Sequence, residues 1–192
     1  MYRCATASPR GELHVGADID DGRIACDRDG ARQGRREQAM VFRVGIISDT
    51  HGLLRPEALH GLAGVDHIIH GGDIGRPEIV TELSGIAPVT AIRGNVDTAA
   101  WATDYAETAT VRLADRSFYI LHDLKALSID PAALGIDVVI SGHSHQAKIE
   151  TSGGVLYLNP GSAGPRRFRL PITLATLELG PGELQPVIHD LG

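Results

Sequence analysis

From residue 41 to residue 94 the chain alternates short apolar runs with amphipathic stretches, and few architectures satisfy that alternation. VFRVGII (41–47) is apolar and of strand length. RPEALHGLAG (55–64) reads as a helix, with Pro56 in the first turn and Gly61 or Gly64 at the end. DHIIH (66–70) is a second short strand, RPEIVTELSG (76–85) a second helix, and APVTAIRG (87–94) a third strand. Strand–helix–strand–helix–strand implies a parallel sheet joined by right-handed crossovers.

The second half changes character. ETATVRLADRSFYILHD (107–123) reads as two strands about a turn at Ala114–Asp115–Arg116, and SIDPAALG (128–135) as a short helical piece. DVVISGH (137–143), AKIET (147–151), VLYLN (155–159), PITLATLEL (171–179) and LQPVIH (184–189) are all strand-like, with a hairpin turn at Gly153–Gly154. The expectation is an α/β fold of two sheets packed face to face with helices outside.

Residues 1–39 differ from the rest. They hold seven basic and seven acidic side chains and little apolar periodicity. Such a segment buries too little apolar surface to offset its ordering entropy, so it is expected to be disordered, with the folded domain spanning 40–192. Met40 as the natural start is the alternative, which an N-terminal peptide identified by mass spectrometry would separate. Both cysteines, Cys4 and Cys26, lie in this segment, which leaves the main body without disulfides or thiolate metal sites and suggests a reducing compartment. No apolar run is long enough to span a bilayer, and the first residues lack a signal peptide's apolar region, so a cytoplasmic location is expected. A net charge of −6 gives no reason to expect a membrane or a long nucleic acid as partner.

What stands at the strand ends is more telling. Asp49 and His51 follow the first strand, in SDTHG. In a strand, residues two apart share a face, so this carboxylate and imidazole are expected to leave the strand tip side by side, aimed at one point. Asp73 follows the second strand in HGGD, Asn95 the third in RGNVD, His122 ends FYILH, and His143 and His145 follow DVVIS in SGHSH. In open α/β sheets ligands gather outside the carboxyl ends of strands. These seven oxygen and nitrogen donors, with no sulfur, suit manganese, iron, zinc or cobalt. Seven exceed the usual coordination of one ion and match two ions roughly 3.5–4 Å apart sharing a carboxylate. Gly72, Gly94 and Gly142 beside them permit close backbone approach. Taken singly, Asp49 could cap a turn, Asn95 could be a turn residue and each histidine a satisfied core or surface side chain. Jointly, that explanation must account for all seven falling at strand ends beside glycine. His60 and His67 fall within elements and read as ordinary, while His70, just before GGD, could support a ligand through its ring N–H.

In order, SDTHG, HGGDI, RGNVD, LHD, SGHSHQA and NPGS resemble the successive motifs of the calcineurin-like metallophosphoesterase superfamily, and most of all its small YfcE-type phosphodiesterase branch. The resemblance covers roughly residues 40–192. It implies a four-layer αββα sandwich of the metallo-dependent phosphatase type with a dinuclear centre. It implies that Asp49, His51 and His145 hold one metal and Asn95, His122 and His143 a second, with Asp73 bridging. It puts the Asn159–Ser162 loop near the site. The implied cofactors are two divalent ions, manganese first, with nickel, cobalt, iron or zinc as alternatives. The implied activity is hydrolysis of small phosphate esters, most readily diesters, by a metal-activated hydroxide.

Two departures from the family pattern stand out. Many larger members carry a His after the Asn of the third motif, proposed to protonate the leaving group; here that residue is Val96. Asp97 is the nearest titratable side chain, so Asp73, Asn95 and Asp97 are the candidate catalytic residues. The branch usually has Gly after the fourth-motif His, where this chain has Asp123, expected to point to solvent, with a hydrogen bond to a ligand imidazole as the alternative. Ser162 reads as a loop hydroxyl, and Arg166, Arg167 and Arg169 form a local cluster that either binds substrate phosphate or is simply solvated. The alternative from another class is a non-catalytic protein-binding scaffold of the same fold, similar to the retromer subunit. A small phosphate ester is the expected partner, and homo-oligomerisation is left open.

Overall fold

The computed structural model describes residues 41–192; the expected disorder of residues 1–39 and the alternative start at Met40 lie outside the described residues. In chain order the elements are β1 (Phe42–Ile47), α1 (Pro56–Gly61), β2 (His67–His70), α2 (Glu78–Ser84), β3 (Val89–Ala91), β4 (Thr108–Leu113), β5 (Arg116–Leu121), β6 (Val138–Ile140), β7 (Lys148–Ser152), β8 (Val155–Asn159), β9 (Thr173–Leu179) and β10 (Gln185–Asp190).

They form two five-stranded sheets, ordered β10-β9-β1-β2-β3 and β4-β5-β6-β8-β7. In the first, β1, β2 and β3 run parallel as the alternation requires, and β9 adds to β1 antiparallel from the far end of the chain. In the second, β5, β6 and β8 are parallel, flanked by the antiparallel edges β4 and β7. The β7–β8 hairpin closes on Gly153 and Gly154 at φ +58° and +81°, the double positive φ that a two-residue turn of this type demands.

Alternation along the strands sorts the apolar residues into layers. Val44, Ile46, Ile69, Phe118, Ile120 and Ile140 pack together between the sheets. Ile47, Ile68 and Leu174 turn the other way and meet Leu62, Ile79 and Leu83 of the helical layer. Full burial of a side chain such as Phe118 contributes on the order of 2 kcal/mol.

The outer layer of the second sheet is thin. The helical piece expected at 128–135 is a single turn, held by bonds such as Ile136 N–H to Pro131 O (2.9 Å). Between Pro131 and Gly135, at φ +67°, the segment is too short to repay helix nucleation. That turn and a 3-10 turn at Leu124–Ala126 cover only part of the sheet, where Leu127 and Ile136 pack on Leu121, Val139, Val155 and Tyr157. No helix among the described residues is long and apolar enough to cross a membrane.

Candidate metal centre

The carboxyl ends of β1, β2, β3, β5, β6 and β8 open into one cluster of side chains, but strand alternation is not what aims Asp49 and His51. β1 ends at Ile47, and both residues sit beyond it in left-handed backbone, at φ +55° and +45°. Asp73, His143 and His145 share that conformation, at +54°, +65° and +56°. Only two other described non-glycine residues do, Ala114 and Phe168. The left-handed region costs an L-residue about 1 kcal/mol, somewhat less for Asp and His. Five such residues together approach the lower end of a domain's net stability, so neighbouring contacts must hold them. Strain gathered in this way marks a functional site.

Those contacts are visible. Asp49 N–H donates to Gly72 O (3.0 Å), His51 N–H to Asp73 O (2.9 Å) and Gly52 N–H to Ile74 O (2.8 Å), which ties the loop after β1 to the loop after β2. Ser162 Oγ donates to Asp49 O (3.0 Å), and His143 N–H to Asp49 Oδ2 (3.1 Å). A Cβ on Gly94 would overlap the carboxylate and backbone N of Asp73, and one on Gly142 would overlap Ser48 Oγ and crowd Asp49 Oδ2. Glycine is required at both by close approach.

All seven expected donors come together. Asp49 Oδ1 lies 3.3 Å from His145 Nε2, 3.9 Å from His51 Nε2 and 4.0 Å from His122 Nε2. Asp73 Oδ2 lies 3.2 Å from His122 Nε2 and 3.9 Å from His51 Nε2. Two tight groups result, Asp49–His51–His145 and Asp49–Asp73–His122, each of which could hold a metal ion. Asn95 and His143 stand just outside them, paired with each other at 3.0 Å between Oδ1 and Nδ1. The His143 ring also meets that of His122 edge to face at 5.3 Å.

The donor atoms suit a cation. Asp49 Oδ1 and His122 Nε2 face the cluster and are buried without a hydrogen-bond partner, an arrangement that costs roughly 1–3 kcal/mol per group unless something compensates it. His122 Nδ1 is committed to Gly71 O at 2.8 Å, so only Nε2 faces the cluster. Burial pulls His51 below the usual histidine range, and burial with His51 and Arg167 nearby takes His145 down to about 4. Both rings thereby keep a free lone pair, the form a metal binds. Burial pushes the Asp49 carboxyl up to about 6. It pushes Asp73 up as well, but His122, the Val96 N–H and His51 outweigh it and leave Asp73 below the ordinary carboxylate range. Burial likewise opposes charge on His122, which the Asp73 carboxylate and the Gly71 carbonyl overcome, raising it.

Asp97 is buried, and both its oxygens are taken. Oδ2 accepts from Ile74 N–H (2.9 Å) and Gly94 N–H (2.8 Å), and Oδ1 from Gly75 N–H (2.8 Å). The carboxylate thus clasps the loops that carry Asp73 and Asn95. Val96 is exposed at the rim, and its N–H donates to Asp73 Oδ1 (3.0 Å). Asp123 does not point simply to solvent: Oδ1 accepts Lys125 N–H (3.0 Å), and Oδ2 lies 4.0 Å from His143 Nε2.

His70 supports the loops rather than a ligand ring. It is fully buried, and burial drives it down to about 4, so it is neutral. Nδ1 accepts Gly72 N–H (3.3 Å), which assigns the proton to Nε2 and a bond to Thr50 Oγ1 (2.9 Å); Thr50 in turn donates to Ile74 O (3.0 Å). Sequence reasoning misses Thr50, and it points to Asn159, whose Nδ2 donates to Gly142 O (2.6 Å), only as one end of the loop near the site. Membership of SDTHG and NPGS is the signal the sequence offers for them.

The family model described as the Calcineurin-like phosphoesterase superfamily domain matches residues 42–182. A probable metallophosphoesterase of Methanothermobacter thermautotrophicus is 38% identical over 139 residues, 67% of this chain and 81% of that protein. A phosphodiesterase of Methanocaldococcus jannaschii is 29% identical over 167 residues, 78% of this chain and 100% of that protein. The structure of Vacuolar Protein Sorting 29 from Cryptosporidium parvum superposes with a TM-score of 0.64 at 19% identity, covering 78% of this chain and 97% of that one, a likeness of fold alone.

Proposed function

We propose a reaction for this chain, which belongs to the calcineurin-like phosphoesterase superfamily: metal-dependent hydrolysis of small phosphate esters, diesters first. One observation carries the reading. Three imidazole Nε2 atoms, from His51, His122 and His145, face two carboxylate oxygens, Asp49 Oδ1 and Asp73 Oδ2, at 3.2–4.0 Å. The similarity to the Methanocaldococcus jannaschii phosphodiesterase supports the diester.

In this reading Asp49, His51 and His145 would hold one divalent ion and Asn95, His122 and His143 another, with Asp73 the carboxylate that would serve them in common and manganese the first metal to try. When bound, the ions supply Lewis acidity that lowers the pKa of a water toward neutrality and offsets charge on the phosphate oxygens. The chain's own residues position and shield. The clasp from Asp97 and the His70–Thr50 pair fix the loops, and His122 offers only Nε2. No side-chain nucleophile is needed, and Ser162 donates its hydroxyl to Asp49 O. Val96 presents an apolar surface where an acid would otherwise stand, so esters with good leaving groups react fastest. Asp97, with its oxygens committed to backbone amides, is read as a clasp in place of a proton donor.

The test is to purify the protein, count bound metal and assay bis-p-nitrophenyl phosphate with added Mn²⁺. Turnover with about two ions per chain, both reduced in Asp73→Asn, sustains the proposal. No turnover with manganese, nickel, cobalt, iron or zinc would move the reading to the non-catalytic scaffold.

A further inference from the structure

A recess of about 750 Å³ lies against the second sheet, beside Tyr157 of β8. It begins at His143 and Ser144, beside the candidate metal centre, and runs along β7 as far as Ser152. The volume is that of small-molecule pockets, roughly 300–1,000 Å³. Tyr157 and Leu158 belong to its lining on β8, and Leu124 to its lining in the 3-10 turn. Tyr157 is half-buried and Leu124 is 39% exposed, so both leave apolar surface open to a ligand.

Charge narrows the choice of ligand. The lining contains two acids, Asp123 and Glu150, and two bases, Lys125 and Lys148, and so carries no net charge. Lys148 and Glu150 moreover pair with each other. A further phosphate would find no surplus cation here. The remaining polar groups are the neutral side chains of Ser144, Gln146, Ser152 and others at the margin. An uncharged planar group with a hydrogen-bonding edge fits this lining, and a base stacked on an aromatic ring is a sequence-tolerant mode of recognition.

We infer that this recess binds the nucleoside of a nucleoside phosphodiester, with its base against Tyr157, while the phosphate lies at the metal centre beyond His143. The inference rests on the phosphoesterase reading and narrows its substrate class. Tyr157 is then a specificity-determining residue, and the chemistry at phosphorus stays with the centre.

Two diesters with the same leaving group isolate the effect: the p-nitrophenyl ester of thymidine 5′-phosphate and methyl p-nitrophenyl phosphate. The wild type should show a KM at least about tenfold lower for the thymidine ester, equal to about 1.4 kcal/mol. Tyr157→Ala should bring the two KM values together, and Tyr157→Phe should restore the gap. Leu124→Ala, elsewhere in the lining, should narrow it if Tyr157→Ala fails to fold. Equal KM values in the wild type, or a gap that survives in folded Tyr157→Ala, would overturn the inference. Calorimetric titration of chelator-treated protein with thymidine 5′-monophosphate separates this from the activity itself. If neither ester turns over, binding by wild type and not by Tyr157→Ala still supports the recess, and no binding by wild type refutes it.

Discussion

His51 Nε2 and His145 Nε2 lie 3.2 Å apart although the residues are 94 positions apart in sequence. Their rings are stacked with centroids 5.1 Å apart, and Asp49 Oδ1 is within 3.9 Å of both nitrogens. Two neutral imidazoles so placed gain little from each other and much from a shared cation. Replacing His145 by Ala is therefore expected to lower bound metal from roughly two ions per chain to about one, as counted by atomic emission. In the wild type, metal at a hundredfold excess over its Kd should stabilise the fold by about 2.7 kcal/mol against chelator-treated protein. Urea unfolding with and without EDTA measures this, and the gain should shrink in His145→Ala.

Asp97 accepts three backbone N–H groups from two loops. Asp97→Ala should cost about 3 kcal/mol of stability, because hydrogen bonds to a charged acceptor contribute more than neutral ones and buried amides would be left unpaired. Were Asp97 instead the leaving-group acid, its loss would spare stability and fall hardest on esters of poor leaving groups. Denaturation midpoints together with rates on esters of graded leaving-group pKa distinguish the two.

Gly94 leaves no room for a side chain beside Asp73. Gly94→Ala should displace the Asp73 carboxylate at an overpacking cost of about 1–3 kcal/mol. Metal content should fall with activity, while far-ultraviolet circular dichroism stays near that of the wild type.

His70 makes stability depend on pH. Its folded pKa is about 4 against 6.5 for the ordinary ring, so between those values the unfolded chain binds the proton and the fold does not. Stability from this group is complete above about pH 6.5 and is lost as pH falls toward 4, on the order of 3 kcal/mol in all. Asp49, pushed up to about 6, acts in the opposite sense in metal-free protein, so the comparison must be differential. The stability gap between wild type and His70→Gln, both chelator-treated, should be wide at pH 7 and narrow at pH 4.5.

The sequence by itself determined the order of elements and the identity of the gathered donors. Apolar runs bounded by Pro and Gly marked β1, α1, β2, α2 and β3, because those residues carry their backbone preferences wherever they stand. Within each sheet, parallel strands bring the polar residues at their carboxyl ends to one edge. Only the tertiary structure decided how they meet. The aim of Asp49 and His51 depends on left-handed backbone that neighbouring loops enforce, and not on the two-residue period of a strand. The use of Asp97 depends on where Gly94 and Ile74 present their N–H groups. The recess beside Tyr157 is assembled from the turn after β5, the loop after β6 and the β7–β8 hairpin. Each is a long-range relation between segments, and no local preference encodes it.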